Sequence, residues 1–172
     1  MKYYKSGFTI VELLVVIGLI GILSVGILAT LNPLEQLKKG WDTHRKSDLA
    51  QIQKALEIYY QDNERYPPNA VNCQYQIQGN NGDGNDCITW GEAWNPYMGK
   101  IPKDINGAKR YVYTVDPAGQ FYRLYTSLDR AGRDPQACNA AGTACPNVPA
   151  GVLCGGVNDQ CNYGVTSANV KP

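Results

Sequence analysis

The stretch FTIVELLVVIGLIGILSVGILATL, Phe8 to Leu31, contains one charged side chain, Glu12, in an otherwise apolar run. At about 1.5 Å per residue it makes a helix about 36 Å long, enough to span a bilayer. MKYYKSG precedes it, with Lys2 and Lys5, the outline of a secretory signal. A signal peptide has a shorter apolar stretch with its small-residue cleavage site behind it, whereas the small-residue break here, Ser6-Gly7, lies in front. Any removal is therefore expected to take residues 1–7 as a leader and leave residues 8–31, a transmembrane helix, as the new N-terminus. A carboxylate at the bilayer centre costs about 2.5–3.5 kcal/mol on insertion scales, so Glu12 requires a reason of its own.

Beyond the run, the pattern predicts a second helical half over residues 32–65. Asn32-Pro33 reads as a cap and first-turn proline. Apolar residues then recur at Leu34, Leu37, Trp41, Leu49, Ile52, Leu56 and Tyr59, mostly in steps of three and four, the stripe of an amphipathic helix. Between them KKGWDTHRKSD is largely polar, with Gly40 as one interruption; its basic run, Lys38 to Lys46, could touch DNA but on a helical stalk more often faces solvent or neighbouring subunits. One helix is expected to run from the membrane segment to about Asn63, before Tyr66-Pro67-Pro68 stops it. RYVYTV (110–115) and QFYRLYTS (120–127), separated by DPAG, give a strong hairpin signal. The fold class is α+β: a long N-terminal helix packed on a small antiparallel head, residues 66–130, followed by a Cys-rich, loop-like region, residues 131–172.

The chain has 172 residues and a formal charge of +1; of its 16 Lys and Arg, two fall in the leader, leaving 14 against 15 Asp and Glu. A near-neutral body argues against a general electrostatic role on nucleic acid or anionic lipid. Its single His, His44, sits beside Arg45 and Lys46 on the polar part of the helix, and no Ser, His and acid set can be built without it. With no phosphate-binding glycine loop, metal-hydrolase spacing or cofactor motif, the chain reads as non-catalytic and cofactor-free.

Six cysteines allow 15 pairings, and an even count on the exported side of a membrane implies disulfides. Cys73 with Cys87, Cys138 with Cys145 and Cys154 with Cys161 is preferred because it closes the shortest loops. Nesting Cys138 with Cys161 and Cys145 with Cys154 is the rival. Zinc is disfavoured, since structural sites pair ligands two to four residues apart, whereas these pairs are separated by six or more. The tail is poor in large apolar residues, so staples suit an ordered surface elaboration.

Gly7-Phe8-Thr9-Ile10-Val11-Glu12, with the basic leader and the apolar run, resembles the processing and methylation motif of type IV filament precursors: type IV pilins and type II secretion pseudopilins. The resemblance implies that a prepilin peptidase cuts after Gly7 and that Phe8 is N-methylated. It also implies that Glu12 pairs with the N-terminal amine of a neighbouring subunit. ALEIYYQDNERYPP (55–68), the Trp94, Pro96-Tyr97 and Ile101-Pro102-Lys103-Asp104 segment, and Ser127-Leu128-Asp129 are similar to the helix end, loop and strand end of major pseudopilins, so the likeness covers residues 1 to about 130.

It implies a self-polymerising structural subunit, resident in the cytoplasmic membrane with its head exported, then part of an extracellular or periplasmic filament. Its implied partners are the peptidase, a membrane assembly platform, a cytoplasmic ATPase and minor pilins. The alternative is a minor, tip or DNA-uptake pilin acting as a membrane-anchored binding protein. Lys38, Lys39, Arg45 and Lys46 after the span outnumber Lys2 and Lys5 before it, which by the positive-inside rule would put the head in the cytoplasm. The motif and the cysteines point the other way and are given more weight.

Two departures stand out. Many relatives have a membrane-helix proline where this chain has Ala29, and many hold calcium in a carboxylate-rich loop near the C-terminus, whereas Asp159 is the one acid here after Asp134. NNGDGND, Asn80 to Asp86, alternates oxygen-bearing side chains with glycine like an ion-binding turn, but a polar loop between cysteines is the simpler reading.

Overall fold

The structure, a computed structural model, describes residues 7–69, 73, 75–79, 86–105, 107–155, 159–168 and 172, with the side chains of 28–31 left aside. It divides into two compact units, residues 1–37 and 38–172, each taken by itself below. Residues 1–6 of the expected leader, residues 1–7, and most of the Asn80–Asp86 segment lie outside the described residues.

Helix α1 (Ile10–Leu31) is apolar all round, and its large side chains from Ile10 to Ile27 are exposed to the surroundings. Such a helix has no stripe to bury against a core of its own and is suited to lipid or to other helices. The segment Ile10–Ile27 is long and apolar enough to cross a membrane. Its one hydroxyl in that stretch, Ser24, donates to the Ile20 carbonyl at 2.7 Å and so stays satisfied without water.

The sequence predicts an unbroken helix to about residue 63, but the structure interrupts it at Asn32. Asn32 takes a left-handed conformation, φ 41°, and ends α1. Helix α2 (Pro33–Asn63) restarts on Pro33, which has no N–H to carry the α1 ladder forward. The Asn32 carbonyl instead accepts from Glu35 (3.1 Å) and Gln36 (3.4 Å). Gly40 causes no break.

In the head, β3 (Val112–Val115) and β4 (Tyr122–Thr126) form the expected hairpin. Asp116 organises its turn, accepting from the N–H groups of Ala118, Gln120 and Phe121, while Gly119 takes φ +70°. Strands β1 (Ile77–Gln78) and β2 (Cys87–Ile88) form a second, very short antiparallel pair.

The tail is less loop-like than its composition suggests. It supplies β5 (Tyr163–Thr166), antiparallel to β4, so the larger sheet runs β3-β4-β5. Strand alternation then sorts side chains between two cores. Tyr113 and its register partner Leu124 join Leu49, Ile52, Leu56 and Tyr59 of α2. Val112 and its partner Tyr125 point into a second cluster made with Cys145, Val152, Cys154 and Cys161. The sheet is therefore covered by α2 on one side and by the disulfide-bonded tail on the other, which makes the tail a structural layer and not only an elaboration.

Candidate functional site

The acid that motivated the reading of the N-terminus has a local partner. Thr9 caps α1: its N–H and its hydroxyl both donate to Glu12 Oε2 at 2.9 Å, and its Oγ1 accepts from the Glu12 N–H at 3.2 Å. This reciprocal box satisfies two polar groups at the helix start and holds the carboxylate on the first turn. Phe8, beside it, is 88 % exposed, and a Cβ on Gly7 would meet nothing within 4 Å.

The head holds a second constellation, on the part of α2 expected to face solvent or neighbouring subunits. Arg45 is fully buried; its Nε donates to Asp104 at 2.7 Å, and its Nη1 donates to Asp129 at 2.7 Å and Asp42 at 3.1 Å. Lys109 closes the cluster on Asp129 at 2.7 Å. Asp42 also accepts from the backbone N–H groups of Asp129 (2.8 Å) and Arg130 (2.9 Å). Burial works against the Arg45 charge, but hydrogen bonds to Asp104 and Asp129 outweigh it and hold the guanidinium protonated. Burial likewise disfavours ionised Asp129, yet bonds from Lys109 and Arg45 keep it below the usual carboxylate range.

One turn on, buried Asp48 accepts from the Tyr111 hydroxyl and faces His44 Nδ1 at 3.1 Å. Burial first, then the bond to Asp48, pushes the Tyr111 hydroxyl well up, so it serves as a donor and not a base. The residues of the two polar clusters are thus tied to one another, a structural arrangement with no free nucleophile in it.

Comparison with known proteins bears on both ends of the chain. Residues 2–28 match the prokaryotic N-terminal methylation motif, and residues 32–140 match the model for type II secretion system protein G. The chain belongs to the type II secretion system protein G family. It is 38 % identical over 66 residues to the type II secretion system core protein G of Aeromonas hydrophila, a match taking in 38 % of this chain and 45 % of that relative. The chain thus spans less than half the length of the curated relative it matches. No solved structure gives a significant match. The family is one of structural secretion-system pseudopilins.

Among the residues singled out in the sequence, Gly7, Phe8 and Glu12 lie together at the start of α1. The cysteines of this pseudopilin form Cys73–Cys87, Cys138–Cys145 and Cys154–Cys161, the sequential set and not the nested one. Most of the outer layer, from residue 141 on, lies beyond the protein G match. Among the described residues, no group of three His, Cys, Asp or Glu is placed to hold a metal.

Sequence reasoning missed Thr9, although T-I-V-E over residues 9–12 is the Thr-x-x-Glu signature of a capping box before an apolar run. It also misplaced Arg45. Arg45, in a basic run read as facing solvent or neighbouring subunits, is instead inside the head: Asp42, Arg45 and Asp48 are 4 %, 0 % and 3 % exposed. Their three-residue step continues the Leu49, Ile52, Ala55 stripe toward the N-terminus.

Proposed function

We propose that this chain is a filament-forming pseudopilin, cleaved between Gly7 and Phe8, in which Glu12 changes partner on assembly. The observation that carries this reading is the Thr9–Glu12 box at the head of a helix otherwise apolar on every side. Before docking, Thr9 supplies donors to Glu12 on the first turn, which lowers the cost of holding a carboxylate near hydrocarbon. In the packed filament, the cationic N-terminus of a neighbouring subunit takes over. A charge left unpaired there costs about 3–5 kcal/mol, so the pairing selects the docking register.

In this reading residues 1–7 are a leader removed by a prepilin peptidase, Phe8 is the methylated terminus, and 8–31 serves as membrane anchor and then polymerisation helix. Residues 32–65 form the stalk, 66–130 the head and 131–172 its stapled outer layer. The head faces the exported side, where its disulfides form. Subunits enter a homopolymer with minor pilins, driven by a membrane platform and a cytoplasmic ATPase.

The test is Glu12→Ala in cells expressing the full secretion system. The variant is expected to insert and lose its leader at wild-type levels, seen by intact mass, while sheared filaments fall at least tenfold. Abundant filaments from correctly processed Glu12→Ala would refute the partner exchange.

A further inference from the structure

The disulfides of the outer layer differ in how their surroundings expose them. In Cys154–Cys161 both residues are 0 % exposed, sealed in the cluster with Val112, Tyr125 and Val152. Their segment is also tied to the chain just before β3. The Cys154 carbonyl accepts from the Arg110 N–H at 2.9 Å, and Lys109 and Gly155 form an isolated antiparallel bridge. In Cys138–Cys145 the two residues are unlike: Cys145 is buried, but Cys138 is half-buried. This loop docks on the inner pair through two backbone bonds, from the Cys138 N–H to the Asn162 carbonyl (2.9 Å) and from the Cys145 N–H to the Cys161 carbonyl (2.8 Å).

The loop 138–145 does not depend on its sulfur bond alone for its shape. The Asn139 amide donates to the Thr143 hydroxyl at 2.8 Å and to the carbonyls of Thr143 (3.2 Å) and Ala144 (3.1 Å), and its Oδ1 accepts from the Thr143 N–H at 3.0 Å. None of these bonds involves sulfur, so an opened disulfide leaves its two thiols close together and reclosure costs little chain entropy. Cys73–Cys87 is a different case: Cys87 is half-buried, but it lies in β2, in register with Gln78.

Thiol–disulfide exchange requires a thiolate to reach a sulfur, so its rate follows access as well as acidity. We propose that Cys138–Cys145 is a thiol-exchange site of the folded head, in which Cys138 takes the mixed disulfide with a small dithiol or disulfide reagent and Cys145 resolves it, while Cys154–Cys161 stays closed. In the reductive direction an external thiolate bonds to the Cys138 sulfur, the Cys138–Cys145 bond breaks, and Cys145 leaves with the electron pair and takes a proton. The second thiol of the dithiol then displaces Cys138; the reagent ends as a disulfide and the protein as a dithiol. In the oxidative direction Cys138 attacks the disulfide reagent, and Cys145 attacks the mixed disulfide and releases the reagent's remaining thiol. The inner pair exchanges only when the layer itself opens, so it must be oxidised before the layer closes over it.

The experiment takes the oxidised full chain in neutral detergent, adds dithiothreitol in increasing amounts, quenches by alkylation and reads each cysteine by peptide mass spectrometry. Cys138 and Cys145 are expected to label together, about tenfold or more faster than Cys154 and Cys161, because a local opening is more populated than a global one. Near-ultraviolet circular dichroism of the head should be retained while they do so. Sub-denaturing urea should raise the Cys154 and Cys161 rate by about tenfold per molar, as for an opening that exposes most of a small domain, and the Cys138 and Cys145 rate by less than about twofold. With oxidised glutathione, Cys145→Ser should accumulate the adduct on Cys138, and Cys138→Ser should give about fivefold less on Cys145, which lacks access.

Equal reduction rates for the two pairs would overturn the proposal. So would a shared urea dependence, which would put both pairs behind one opening. Equal glutathione adducts in the two variants would leave Cys138 with no special role and equally sink it. The wild-type rates decide the matter alone if either variant fails to fold.

Discussion

Replacing Arg45 with Met tests the buried ion cluster, because the side chain keeps much of its length and loses its charge. Of the three acids it serves, two retain other donors. Asp42 still accepts from the N–H groups of Asp129 and Arg130, and Asp129 still holds Lys109 at 2.7 Å. Asp104 is the one stranded: its side chain is fully buried, and among the described residues its remaining hydrogen bond is a long one, 3.4 Å, from the Lys109 N–H. Removing one partner of a buried pair typically costs about 3–5 kcal/mol, a large part of the 5–15 kcal/mol that holds an ordinary domain. The midpoint of thermal unfolding should fall by about 10–20 °C for a head of this size. The assay is near-ultraviolet circular dichroism of the full chain in detergent. Arg45→Met/Asp104→Asn should regain part of the loss, giving a coupling of at least 1 kcal/mol in a double-mutant cycle. Arg45→Lys should resemble Met more than Arg, since one ammonium cannot fork to Asp104 and Asp129 in the same plane. Strict additivity of the Met and Asn changes would refute the assignment of Asp104 as the stranded charge.

The outer layer yields a second expectation: Cys154→Ser with Cys161→Ser should cost about 2.5 kcal/mol from the loss of its short closed loop, measured by urea unfolding. Tyr125 packs against those sulfurs, and burial there, partly countered by Arg123, pushes its hydroxyl up to about 12. In the double variant, absorbance titration should show one more tyrosine ionising near its ordinary value of about 10. Gly142→Ala should destabilise more than Gly151→Ala, by thermal melting. Both glycines have left-handed φ, but a Cβ at 142 would lie 2.4 Å from the Gly132 backbone nitrogen and one at 151 meets nothing. Acid should also weaken the head. Asp129 and Asp134, bound to Lys109 with Arg45 and to Lys46, have folded pKa values below the ordinary range. Their stabilisation is fully present above about pH 4 and is lost as pH falls through the lower folded values. Urea midpoints between pH 6 and pH 3 should show that decline, and Asp134→Asn should flatten part of it.

The parts of this fold that were legible in the sequence are those whose cause is local. The α1 run, the hairpin about Asp116 and the α2 stripe from Leu49 to Tyr59 each carry their signal within about a dozen residues. The capping box was equally local and would have followed from asking which group satisfies Glu12. What escaped depends on distant partners. Arg45 lies 59 residues from Asp104 and 84 from Asp129, so nothing near it distinguishes a buried fork from a solvated charge. The periodicity had the clue, since Asp42, Arg45 and Asp48 keep the phase of the apolar stripe, but a charge in an inward phase is tolerated only once its partners are known. The tail shows the same limit from the opposite side. Its composition promised little core, yet Cys145, Cys154 and Cys161 are buried against Val112 and Tyr125. There the disulfides act both as chain constraints and as apolar packing, and so let a Gly- and Asn-rich segment cover a sheet face. That double use explains why a stretch poor in large side chains can still present an ordered strand, β5, to the edge of β4.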